Sequence, residues 1–318
     1  MTGRKDGHLF NLKPQTMKVT KPGIYPEITI EQYHADKSWM SATGVKHAEK
    51  SMSEYRLYLD GYWDDISKPH FDFGNACELY LVDKVGFEDK VAVMPSHRWV
   101  EEALAEKPDL KVPKSSKTYK DLEKEFLGDN AGRYVVPENG DLSMEVIEIL
   151  VARCKADPFI SQLLPNITYQ HSCYWVDKET GLQMKTRPDI AQVTKNVLIN
   201  IKTTLDGSPD KFSRDLATLN YPLQACVEIC GAEASGLIPK VDKYFWLVLE
   251  KNPPFNVTLY EFEEGDIRIV MDEYRSILSR VKRAAETNTW PGYNEFADNK
   301  YGILTAKIPA WYKMKSNN

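Results

Sequence analysis

Cysteine is scarce in this 318-residue chain, and the five present (Cys77, Cys154, Cys173, Cys226 and Cys230) are odd in number and lack disulfide-framework spacing. Cys226 and Cys230 share a helix face at i, i+4, yet no CxxC pair or neighbouring histidine completes a zinc set. Reduced, mostly buried thiols are expected. Long apolar runs are also missing. No stretch approaches the ~20 residues of a membrane span, and the opening MTGRKDGHLFNLKPQ has no apolar core. The expectation is a cytoplasmic protein without a membrane partner. Nor is there an excess of positive charge: 41 Lys and Arg stand against 46 Asp and Glu, a formal net charge of -5. That argues against a histone-like polyanion binder but leaves room for an enzyme with a local basic groove, whose metal-binding carboxylates add negative charge. Repeats, low-complexity segments and linkers are absent as well. Residues 1–24 read as a flexible or irregular arm and 25–318 as one domain.

What is present is ordinary for a folded protein, with 42% hydrophobic and 27% charged residues. Ser41 is a plausible cap for a helix to about Leu59, ended by Gly61. FDFGNACELYLVD, from Phe71, reads as a helix opened by Asp72 or Gly74, and Glu78 falls in its apolar surface. A carboxylate there is costly unless paired or metal-bound. Residues 91–139 mix the strands VAVM and RYVVP with charged helical stretches and read as an insertion or a surface helical layer. An amphipathic helix follows from near Asp141 or Ser143.

The informative stretch is KTRPDIAQVTKNVLINIKTT, Lys185 to Thr204. HSCYWVDKETGLQMKTRPDIAQV alternates about a DKETG turn as a hairpin does, and Gln183, Lys185, Arg187 and Asp189 share a face if no bulge intervenes. In the next strand, 196–203, Val197, Ile199 and Ile201 point one way and Leu198, Asn200 and Lys202 the other. Placed opposite Asp189, that strand brings a carboxylate, an amide oxygen and a lysine together. Helices from Ser208-Pro209 and from Pro222, strands DKYFWLVLEK and NVTLYEF, a long helix from Asp266 to about Thr287, and an aromatic tail packed on the body complete the reading. Phosphodiester hydrolysis needs an activated water and neutralised phosphate charge, which a carboxylate-held divalent cation and a nearby lysine provide. Mg²⁺, with Mn²⁺ substituting, suits two or three hard oxygen ligands.

ITIEQYHADKSWMS, FGNACELYLVD, WVDKETGLQMKTRPD, INIKTT and the NTW-P to IPAW tail resemble, in order, the RecE-type exonucleases (exonuclease VIII) of the PD-(D/E)xK nuclease superfamily. The resemblance implies an α/β core with a mixed central sheet flanked by helices and an N-terminal helical elaboration. It implies 5′-to-3′ degradation of one strand of linear double-stranded DNA, leaving 3′ overhangs for a single-strand annealing protein in phage-type recombination. A ring-shaped homo-oligomer and a phage- or prophage-encoded origin are implied too. Carried over, the catalytic set is Glu78, Asp189, Asn200, Lys202 and Gln224, with Glu78, Asp189, Asn200 and Ile201 as metal ligands. DNA contacts are expected from Ser41, Arg56, Lys185, Arg187, Thr203 and Gln224, with Lys46, His47 and Lys211 as further basic candidates.

Three positions depart from the family pattern. The GxxxH motif reads Gly74 to Glu78, and the tyrosine of QxxxY is Glu228, which puts its DNA-contact role in doubt. Asn200 stands where a metal-bridging Asp or Glu is expected. An amide offers a neutral oxygen and no charge, so the chain is expected to cut poorly. Either Asn200 is an introduced, disabling substitution, the favoured explanation, or it is native to an inactive DNA-end-binding module. A PD-(D/E)xK endonuclease and an iron–sulfur nuclease are further alternatives, the latter disfavoured because the clustered C-terminal cysteine trio is missing.

Overall fold

The computed structural model describes residues 18–62, 69–310 and 312. Its strands are β1 (Gly23–Tyr25), β2 (Val91–Met94), β3 (Tyr134–Pro137), β4 (Thr168–Tyr169), β5 (Ser172–Val176), β6 (Gln183–Thr186), β7 (Ile190–Gln192), β8 (Val197–Thr204), β9 (Lys243–Glu250) and β10 (Val257–Glu261). Its helices are α1 (Ile30–Ala35), α2 (Ala42–Lys50), α3 (Met52–Leu59), α4 (Pro69–Val82), α5 (Lys84–Lys90), α6 (Ser96–Glu106), α7 (Lys117–Asp129), α8 (Met144–Ala156), α9 (Ile160–Leu163), α10 (Pro209–Thr218), α11 (Tyr221–Ser235) and α12 (Glu264–Thr287). The fold is α/β, with a mixed sheet flanked by helices.

The central sheet runs β10-β9-β8-β7-β4. Only β8 and β9 are parallel, and α10 and α11 make the crossover between them that a parallel pair requires. Strict alternation divides the two faces. Leu198, Tyr244, Trp246 and Val248 join one core with residues of α2, α3, α11 and α12. Val197, Ile199, Ile201, Phe245, Leu247 and Leu249 join a second core with residues of α4 and α8. β8 is thus buried on both faces, which is why polar Asn200 and Lys202 stand out in it.

The DKETG turn joins β5 to β6 as a hairpin, but these strands lie in a separate sheet, β1-β5-β6. The chain changes sheets across Arg187-Pro188-Asp189, where Pro188 has no amide hydrogen to donate to a ladder. The shared face expected for Gln183, Lys185, Arg187 and Asp189 is therefore broken. Ser41 caps α2 as expected, its Oγ accepting from the Gly44 amide at 3.4 Å. The single helix expected to Leu59 is two, because Ser51 is extended (φ -170°, ψ 160°) and its side chain caps α3 through the Glu54 amide at 3.1 Å. A serine that satisfies a new helix's first donors offers the chain a place to turn.

β2 and β3 pair in parallel as a small two-stranded sheet. The arm expected over 1–24 lies mostly outside the described residues. Of its described end, Val19 is buried and its carbonyl accepts from the Trp39 indole at 2.8 Å, while Gly23 and Ile24 already belong to β1. The first part of the aromatic tail packs on the body. The Ser53 amide donates to the Pro291 carbonyl at 2.9 Å, and Arg280 pairs with Glu295 at 2.7 Å. Further on, Tyr301, Ile303, Leu304 and Ile308 are exposed, and residues 311 and 313–318 lie outside the described residues.

Candidate active site

A cleft of about 590 Å³ opens between α1, α2, α4 and α11, lined by Ser41, Lys46, Glu78, Arg187, Asp189, Gln224 and Glu228 among others. Three elements aim carboxylates at it. The β7–β8 register pairs Ile190 with Ile199, so Asp189 comes level with Asn200, as the sequence reading required. No strand residue follows on that side, and the Asp189 carboxylate takes over the ladder by accepting the Ile201 amide at 2.8 Å. One oxygen thus anchors Asp189 to β8. From α4, whose Phe73, Ala76, Cys77 and Leu79 are buried, Glu78 projects and accepts from the Gln170 amide at 2.6 Å and from Tyr169. From α11 comes Glu228, 2% exposed, accepting from Gln224 and from the Tyr244 hydroxyl, each at 2.8 Å.

Burial pushes Glu78 up to about 8 and Glu228 up to about 7, and the Asp189 charge is the next cause in both. Asp189 is raised too by burial, against the opposing pull of Lys202. Carboxylates that burial and each other's charge resist ionising are favourably disposed to a cation.

Asn200 is completely buried; its Nδ2 donates to Glu228 Oε1 at 3.3 Å, and its Oδ1 has no partner among the described residues. Lys202 reaches Gln224 Oε1 at 3.5 Å and lies 4.3 Å above the Tyr221 ring. Lys46, from α2, meets the same Gln224 oxygen at 3.4 Å and the same ring at 5.5 Å. Burial and the Lys202 charge lower Lys46 to about 8.

The donors fit a hard divalent cation, since all are oxygens and one, Asn200 Oδ1, is buried without a proton donor. They do not form a closed cage: among the described residues no three His, Cys, Asp or Glu side chains are grouped as a ready metal set. Mg²⁺ keeps several waters and needs only one or two carboxylates directly. Glu78, Asp189 and Asn200 are the side chains that would hold it. The four buried cysteines and half-buried Cys230 are free thiols.

The remaining candidates divide. Gln224 sits at the centre, and Ser41 lines the cleft while its hydroxyl also stands 3.4 Å from the Tyr58 hydroxyl. Thr203 faces α4 at Gly74. Ile201 contributes its amide to Asp189, and its side chain packs in the second core. Arg187 lines the cleft, but its guanidinium serves the Ile28 carbonyl at 2.6 Å, Ser172 at 2.8 Å and Gln170 at 3.4 Å.

Two expected DNA contacts are placed elsewhere. Lys185 is buried with its ammonium on the Tyr33 and Asp36 carbonyls, because the change of sheets turns it toward α1. Arg56 lies on the exposed side of α3 in an i, i+4 pair with Asp60. Lys211 likewise pairs with Asp215, and His47 stacks on Tyr58 and meets Glu54 at 3.4 Å.

Gln170, which bridges Arg187 and Glu78, carries no sequence signal, since a left-handed backbone (φ 47°) brings it in. Glu228 did carry one. It is a lone charge in LQACVEICGA, the same pattern that singled out Glu78.

Residues 41–300 match the family described as a PDDEXK-like domain of unknown function (DUF3799). The chain belongs to that family. No curated protein matches the sequence. Among solved structures, the crystal structure of a "putative exonuclease" from Eubacterium rectale shares the fold, with a TM-score of 0.51 at 12% identity over 92% of this chain and 99% of that one. The structure of SSO0001 aligns over 76% of this chain and 98% of its own, with 14% identity and a TM-score of 0.25. Membership of the PDDEXK-like family agrees with the nuclease-like core that the motifs implied, and PDDEXK nucleases typically use divalent metals.

Proposed function

We propose that this PDDEXK-like protein is a Mg²⁺-dependent exodeoxyribonuclease acting from the 5′ ends of linear duplex DNA and leaving 3′ overhangs for an annealing protein. The observation that carries the reading is the approach of Lys202 and Gln224 to a cleft lined by Glu78, Asp189 and Glu228. A divalent cation bound there supplies charge neutralisation at the phosphate and a more acidic water. Lys202, whose ammonium donates to Gln224 Oε1 and lies over the Tyr221 ring, orients the attacking water by donating a hydrogen bond to its oxygen. Lys46 offsets phosphate charge beside it. The ring-shaped assembly expected from the resemblance fits an enzyme that tracks along a strand without releasing it.

The test is 5′-end-labelled linear duplex and covalently closed plasmid, each incubated with Mg²⁺. The linear DNA should be degraded and the plasmid should survive. Lys202→Ala should reduce the rate by about 10²- to 10⁴-fold, the usual range for a group that handles the proton. Nicked or linearised plasmid would make the protein an endonuclease. Intact linear DNA under saturating Mg²⁺ would make it an end-binding module.

A further inference from the structure

We infer that Asn200 belongs to a working site, and that Glu228 supplies from α11 the negative charge that β8 lacks at position 200. The inference rests on the metal-dependent reading above. Three observations carry it. Glu228 is 2% exposed in an otherwise apolar helix segment, and all its donors, Asn200, Gln224 and Tyr244, are neutral. Among the described residues no lysine, arginine or histidine forms an ion pair with it. A buried carboxylate with no direct ion pair is costly; the Lys202 and Lys46 charges reach it only at longer range, and a cation that the cleft admits accounts for it better than packing does.

The second observation is the orientation of Asn200. Because Nδ2 is spent on Glu228 Oε1 at 3.3 Å, Oδ1 is left fully buried and unpartnered. An oxygen so placed is a donor atom in want of a cation or proton. The third is steric and electrostatic. A carboxylate at position 200 would stand in contact with the Glu228 carboxylate, and two such groups at that distance repel. With Glu228 in place an amide at 200 is the complementary residue, because it donates to the carboxylate and still offers an oxygen. One charge has been moved across the sheet-helix contact, and a disabled enzyme need not be invoked.

Mn²⁺ binding to the metal-free protein, followed by electron paramagnetic resonance, tests this without reference to turnover. Glu228→Gln should weaken Mn²⁺ binding by about tenfold or more. The exchanged pair Asn200→Asp/Glu228→Gln should recover affinity to within about threefold of wild type. Wild-type affinity in Glu228→Gln overturns this inference and leaves the nuclease reading standing. So does an exchanged pair that binds no better than Glu228→Gln. Failure of the wild-type protein to bind Mn²⁺ overturns the metal-dependent reading and this inference together.

Discussion

Lys185 and Lys202 are both lysines on strands of one motif, and the molecule uses them in opposite ways. Lys185, before the change of sheets, is buried under α1, where two backbone carbonyls and the Tyr33 ring, 4.3 Å from Nζ, occupy its ammonium. Among the described residues Lys202, after it, meets only a 3.5 Å amide oxygen and an aromatic face, and its charge acts on three carboxylates. Arg187 and Lys46 repeat the contrast: the first has its donors on a carbonyl, a hydroxyl and an amide, the second shares Gln224 with Lys202. The difference teaches that a basic residue's partners, and not its presence in a motif, decide whether its charge is left for a ligand.

The contrast breaks first if Lys185 proves to be a DNA contact. Lys185→Met keeps the length of the side chain but leaves the Tyr33 and Asp36 carbonyls without their buried donor. An unsatisfied buried polar group costs ~1–3 kcal/mol, so the variant should lose about 2–3 kcal/mol of stability in urea titration. Duplex DNA binding by the folded fraction should keep its salt dependence. A variant as stable as wild type with weakened DNA binding would reverse the assignment.

How far this division could be read from sequence follows from what fixes each half. The alternation of β8 was legible because both of its faces are apolar, so the two cores sort Val197, Ile199 and Ile201 from Leu198 without outside information. Asp189, Asn200 and Lys202 fall together by register alone. Lys185 was misplaced because the sheet change at Pro188 depends on where α1 packs, and local pattern does not encode that approach. Glu228 was legible as a buried lone charge, but its partner Asn200 lies on another element, so its role needed the fold.

The carboxylate side of the cleft gives a second, smaller effect with a definite sign. Glu78 and Glu228 stand at about 8 and about 7, above their unfolded values, so the native state holds protons that the unfolded state has released. Their stabilising contribution is complete below the unfolded value and is lost as pH rises through 7 and 8. Burial lowers His47 and His171, which acts in the other direction below about pH 6.5, and lowers Lys46 and Lys185 to about 8, which does so near and above that pH, so the window to measure is about pH 6.5 to 7.5. Metal-free protein should lose about 1–2 kcal/mol across it, at ~1.4 kcal/mol per pH unit for each proton released. Saturating Mg²⁺ should flatten the slope by stabilising the ionised carboxylates. A flat metal-free profile would mean that these carboxylates are already ionised and that the cleft does not disfavour their charge.

The smallest effect isolates Lys46, the counterpart to Lys185 on the open side of the comparison. Among the described residues its ammonium has one acceptor, Gln224 Oε1, and it is lowered to about 8 by burial and by Lys202, so it is still mostly charged at neutral pH. Two cations that repel each other across one neutral amide are relieved by a phosphate, and the phosphate releases condensed counterions when it binds. Lys46→Met should therefore weaken duplex binding by about tenfold or less and reduce the slope of log affinity against log salt by about 1. Folding stability should hold or rise slightly, because the substitution removes a desolvated charge next to Lys202. Measured in Ca²⁺ to suppress cleavage, an unchanged slope would take Lys46 out of the phosphate path. It would also leave Lys202 as the cation that faces the substrate from this side of the cleft.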